Sequence, residues 1–143
     1  MQPGNACPVS APVGVLGSPH DPPTHSYGGG PVYVAGLGDF TLFPNAETAG
    51  WFPFKTIWFA RPNFVGRVLV RGRRLDAPGG VRFSWRGHVR PGLTEIRMHF
   101  VYRHDDWQDY PGPRNIWVQR PGCYAVQVDG ASFSYVILFE PQS

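Results

Sequence analysis

Residues 120 to 139 read Arg-Pro-Gly-Cys-Tyr-Ala-Val-Gln-Val-Asp-Gly-Ala-Ser-Phe-Ser-Tyr-Val-Ile-Leu-Phe. Tyr124, Val126 and Val128 alternate with Cys123, Ala125 and Gln127. Beyond Asp129-Gly130, Phe133, Tyr135, Ile137 and Phe139 alternate with Ser134, Val136, Leu138 and Glu140. A period of two places one set on each face of a strand. Asp-Gly suits the positive φ angles of a tight hairpin turn. The stretch therefore predicts a closing hairpin that turns at Asp129-Gly130, within an antiparallel β-sandwich.

The rest of the chain supports an all-β reading. No window of about ten residues keeps an apolar 3.6-residue period without an intervening Gly or Pro. A length of 143 residues implies one domain with a core of its own. Aromatic residues at 15% and charged residues at 16% are the reverse of a disordered composition. Strand patterns run through residues 32–37, 55–61, 66–76, 81–86, 94–103 and 116–118, with a further candidate over 39–43. In 66–76, Val68 and Val70 point one way, and Arg67, Leu69, Arg71 and Arg73 the other. In 94–103, Ile96, Met98, Phe100 and Tyr102 take the core side. Residues 45–53 and 104–114 read as loops. Seven to eight strands at roughly ten-residue spacing make an immunoglobulin-like antiparallel β-sandwich over residues 32–143. Residues 1–31, rich in Pro and Gly, form an extended arm expected to dock on that body.

Two cysteines, Cys7 and Cys123, predict one disulfide and an oxidising compartment; the alternative is two unrelated thiols. Cys123 falls on the outward phase of its strand, well placed to hold a peripheral segment such as the arm. No apolar run is long enough to span a membrane, and none follows Met1. A secreted or cell-surface location is expected, with any export signal removed.

Three stretches carry a resemblance. Pro121-Gly-Cys-Tyr-Ala-Val-Gln-Val-Asp-Gly130 resembles the entry into the penultimate strand of immunoglobulin-like domains. There Tyr124 would brace the preceding corner through its hydroxyl. Gly66 to Phe83 is similar to the corresponding stretch of IPT/TIG-type domains. Cys7-Pro8-Val9, Arg71-Gly-Arg-Arg-Leu-Asp76 and Pro121-Gly-Cys-Tyr124 together look like a group of uncharacterised bacterial exported, lipoprotein-like proteins. The resemblance implies location and fold, not a reaction. Gly4 stands where a lipidation signal would want a Leu-like residue, and acylation of Cys7 would exclude the disulfide.

Chemistry-bearing motifs are sparse. No serine lies in a G-x-S-x-G context, and Gly28-Gly-Gly30 leads into Pro31 rather than a phosphate-binding helix. No cofactor motif is present, and a non-enzymatic binding or structural role is expected. His99, His104, Asp105 and Asp106, with His20 and His25 on the arm, could ligate a metal, but their spacing matches no tight motif. Asp105, Asp106 and Asp109 could serve as a carboxylate pair for glycoside hydrolysis, or as Ca²⁺ ligands. A solvated loop explains all of these residues as well.

Lys55 is the sole lysine among thirteen basic residues, and the net charge is +3. Arg71, Arg73, Arg82, Arg86, Arg97 and Arg103 fall on outward strand phases. If those strands pair, one face meets acidic glycan or another polyanion; the alternative is a solvated face balanced by carboxylates. No specific nucleic-acid motif is present. Trp51, Trp107, Tyr110 and Trp117 are candidate contacts for sugar rings, a partner protein or like subunits, or else a cover for the ends of the core.

Overall fold

The computed structural model describes residues 6–13, 26–37, 42, 46–86 and 90–142. They form eleven strands and no α-helix. The strands are β1 (Ser26–Tyr27), β2 (Val32–Ala35), β3 (Phe52–Lys55), β4 (Ile57–Ala60), β5 (Gly66–Arg74), β6 (Arg82–Trp85), β7 (Glu95–Phe100), β8 (Gln108–Tyr110), β9 (Pro113–Val118), β10 (Tyr124–Gly130) and β11 (Ser134–Phe139). All pairings are antiparallel. One layer is a four-stranded sheet in the order β11-β10-β5-β7. The layer packed on it combines β1-β2-β4-β8 with β3-β9-β6. Among the described residues no helix is long and apolar enough to cross a membrane.

Alternation builds the interior. On β5, Val68 and Val70 are buried while Arg67, Arg71 and Arg73 are exposed. On β7, Ile96, Met98 and Phe100 are buried, and on β10, Tyr124, Val126 and Val128. These side chains meet Val34 and Trp58 from one opposing sheet and Phe83, Ile116 and Val118 from the other, in one apolar cluster. Gly72 continues the inward phase of β5. A Cβ there would come within 2.9 Å of the Val81 side chain and 3.1 Å of the Ala125 carbonyl, so the close approach requires glycine.

The closing hairpin forms as predicted, but its turn does not sit at Asp129-Gly130. Asp129 is still paired, with Ser134, and the Gly130 amide donates to the Phe133 carbonyl at 2.8 Å. Ala131 and Ser132 therefore make the bend. Gly130 is absent from the positive-φ glycines. The residue is glycine for space, because a Cβ would collide with the Phe133 ring.

Further strand bounds differ from the sequence pattern. Strand β7 ends at Phe100, leaving Tyr102 72% exposed rather than in the core. The 104–114 loop contains β8 and the start of β9, and β3 begins inside the 45–53 loop. The strand expected over 39–43 lies outside the described residues, except Leu42, which is buried and donates its amide to the Gln142 carbonyl at 2.8 Å. Strand β1, inside the expected arm, belongs to a sheet through its pairing with β2.

Cys7 and Cys123 are bonded, with their Cα atoms 5.4 Å apart. Cys123 is buried beneath this link instead of facing solvent. From there residues 7–13 run as a strap. The Ser10 amide donates to the Leu138 carbonyl at 3.0 Å, and the Leu138 amide donates to Ser10 Oγ at 2.9 Å. The Val13 amide donates to the Ser26 carbonyl at 2.8 Å. The strap thus joins the β11 edge of one layer to the β1 edge of the other.

Two phenols brace the body. Tyr124 Oη donates to the Arg120 carbonyl at 2.8 Å, the corner contact its position implies. Burial pushes this phenol's pKa up. The Arg74 guanidinium lies 5.8 Å from the same ring and donates to the Pro121 carbonyl and to Asp76, whose carboxyl it holds below the ordinary value. Tyr135 Oη donates to the Val32 carbonyl at 2.5 Å, tying β11 to the opposite layer, and burial raises its pKa strongly.

Candidate ligand-binding face

The outward face of β11-β10-β5-β7 gathers side chains that are far apart in sequence. Register aligns Ser134, Asp129, Leu69 and Arg97 in one transverse row. Val136, Gln127, Arg71 and Glu95 form the next. Arg73 lies beside Ala125 and Leu138, and Arg67 beside His99.

Asp129 is the hub. Its carboxylate accepts hydrogen bonds from Ser134 Oγ at 2.5 Å, from the Gln127 amide at 3.1 and 3.2 Å, and from the Arg71 guanidinium at 3.2 Å. These bonds, Ser134's foremost, hold its pKa below the ordinary carboxylate value. Arg97 Nε donates to Glu95 at 2.6 Å, which raises the arginine's pKa. Two arginines are thus committed to carboxylates. Arg67 and Arg73 are exposed, and among the described residues neither has a carboxylate or hydrogen-bond partner.

Two depressions flank the hub. One, of about 480 Å³, has Arg71 and Arg73 at its rim over Leu75, Ala125, Val136 and Leu138. The other, of about 520 Å³, is lined by Arg67, Leu69, Arg97, His99 and Asp129, with Tyr110 as a side wall. The Tyr110 ring packs 4.9 Å from Phe100, and its hydroxyl accepts the His99 amide at 3.2 Å. These contacts place an aromatic at the sheet's rim.

Of the six arginines expected on one face, the structure brings together Arg71, Arg73 and Arg97. Arg82 and Arg86 depart because β6 pairs with β9, in another sheet. The Arg82 guanidinium stacks 5.2 Å from the Trp51 ring and donates to the Val81 carbonyl. Arg86 borders a separate depression of about 250 Å³ with Lys55 and Asp109. Arg103 lies beyond the end of β7 and reaches the Asn63 carbonyl at 3.5 Å. Arg67 completes the face. The alternation that exposes Arg71 and Arg73 exposes it too, so the sequence carried its signal.

Of the four candidate aromatics, Tyr110 alone reaches this face. Trp117 is buried and donates Nε1 to Ser84 Oγ at 2.8 Å. Trp51 is half-buried beside Arg82. Trp107 packs on Tyr33 and Phe59, outside β1-β2-β4-β8. Among the described residues no group of three His, Cys, Asp or Glu side chains could hold a metal ion. His99 projects from β7, whereas His104, Asp105 and Asp106 are exposed in the following loop, where Asp106 Oδ1 accepts the Trp107 amide. His20 and His25 lie outside the described residues.

No family model matches this chain, and no curated protein matches it. A solved family 123 glycoside hydrolase from Clostridium perfringens, reported for glycolipid glycan hydrolysis, aligns at a TM-score of 0.35 and 13% identity. The alignment covers 65% of this chain and 21% of that one, and a likeness at this level carries no argument about fold or function.

Proposed function

We propose that this chain is an exported, non-catalytic binding module whose ligand is an acidic glycan, taken by the outward face of β11-β10-β5-β7. One observation carries the reading: Arg67 and Arg73 stand exposed beside two depressions on a single sheet face, with no side-chain partner among the described residues. Guanidinium groups suit carboxylate or sulfate. Asp129, Gln127, Ser134 and Glu95 accept hydrogen bonds from hydroxyls, and the apolar floor matches the carbon faces of sugars. The disulfide supports an extracellular setting. A nucleic acid fits less well. Sequence-independent binding of single strands rests on aromatic stacking platforms along a basic groove. Here Tyr110 stands at the rim and two carboxylates interrupt the arginine track.

Native electrophoresis through gels containing a polysaccharide that alternates uronate with neutral sugar, or a wholly neutral polysaccharide, tests this. The chain should be retarded by the acidic polysaccharide alone, and less so as salt rises. Arg67→Ala plus Arg73→Ala should abolish the retardation, while Arg82→Ala plus Arg86→Ala should leave it. Equal mobility in both gels, or retardation indifferent to the face variant, would overturn the reading.

A further inference from the structure

The two uncommitted arginines stand at opposite ends of one strand. Arg67 and Arg73 share the outward phase of β5, six residues apart. At the rise of an antiparallel strand, that separation is about 20 Å. Each has its own depression. Between them Arg71 is held by Asp129, and Asp129 by Ser134 and Gln127. The middle of the track is therefore a neutralised polar surface, suited to hydroxyls rather than to a further anion.

We infer that the ligand is an extended acidic glycan, its uronates separated by neutral sugars, lying along β5 and held at two anion seats, Arg67 and Arg73, about 20 Å apart. This rests on the acidic-glycan reading above. The seats differ in character. His99 and the Tyr110 wall border the Arg67 seat, whereas the Arg73 seat opens over Ala125 and Leu138. A densely charged polymer would set anions against Asp129 and Glu95, which the central track disfavours. A fragment with one carboxylate engages one seat only. Joining two such groups makes the second contact intramolecular, so affinity gains steeply once the chain spans both seats.

Calorimetric titration with size-fractionated oligosaccharides that alternate uronate with neutral sugar tests the spacing. Affinity should stay weak and nearly flat for short oligomers. It should then step up by about tenfold or more when the oligomer first spans the seats, and level off beyond. Arg67→Ala and Arg73→Ala, each confirmed folded by its thermal transition, should each return the long oligomer to the affinity of the short one. A smooth rise from the shortest oligomer, or either single variant binding the long oligomer normally, would overturn the two-seat arrangement while leaving the acidic-glycan reading in place. Failure of every oligomer and of the parent polymer to bind would remove both.

Discussion

The two outer faces of the sandwich use arginine in opposite ways. Outside β1-β2-β4-β8, Tyr33 and Phe59 stack with ring centroids 5.6 Å apart, and Trp107 and Val13 close over them. The Arg61 guanidinium sits 5.3 Å from the Tyr33 ring and 5.4 Å from Trp107, so its charge is spent inside the molecule. Phe59 is wholly buried although it faces away from the core, and β4 is covered on both sides. Among the described residues, nothing comparable covers the outside of β11-β10-β5-β7. Val136 is half exposed, and Arg67 and Arg73 keep their hydrogen-bonding capacity. The closed face contributes stability, and the open face retains the means to bind.

The contrast can be broken most forcefully at Phe59. Phe59→Ala removes a fully buried ring and should cost about 3–5 kcal/mol in denaturant unfolding. Retardation by the acidic polysaccharide, per folded molecule, should not change. A cost below about 1 kcal/mol would mean that the closed face does not stabilise the fold.

Cys7→Ser comes next. It opens a link spanning 116 residues, worth about 2–4 kcal/mol in typical cases. The strap also carries Val13 onto the closed face, so that face should lose protection first. Hydrogen exchange should quicken at the Ser10, Val13 and Leu138 amides and stay slow at Val126 and Val128. Uniform acceleration would show that the strap is not a separate unit.

The smallest effect concerns the open face. Asp129's native pKa is depressed, so its network stabilises the fold above the unfolded-state value of about 3.9. That contribution should fade as pH falls through the lower native value. Asp129→Asn should flatten this acid limb, lowering stability slightly at neutral pH while the two proteins converge at low pH. An unchanged acid limb would place the stabilising titration elsewhere, with Asp76 the first alternative.

Period-two alternation in the sequence told which side of a strand each residue takes, but not which strand lies beside it. Arg71, Arg73 and Arg97 were legible as outward residues, and so were Arg82 and Arg86. Whether β6 joins β5 or β9 depends on long-range pairing that no local pattern records. The same limit hid the burial of Trp117, whose ring is covered from a distant strand. Strand β8 has three residues, too few to show a period, and it became visible only through its pairing with β4. Cys7–Cys123 was legible because a lone cysteine pair has one dominant use in this setting, and the Tyr124 corner through the resemblance of residues 121–130 to immunoglobulin-like domains. Asp129-Gly130 shows the reverse case, a familiar turn dipeptide used instead for a crowded ring and a polar hub.

The strap from Cys7 to Val13 also decides what the molecule refuses. A bare terminal strand offers its amides and carbonyls to any neighbouring chain, the usual route to runaway stacking. Here Ser10 occupies the Leu138 backbone groups, and the crosslink keeps it there. A second copy that meets β11 side on therefore finds the Leu138 position already taken.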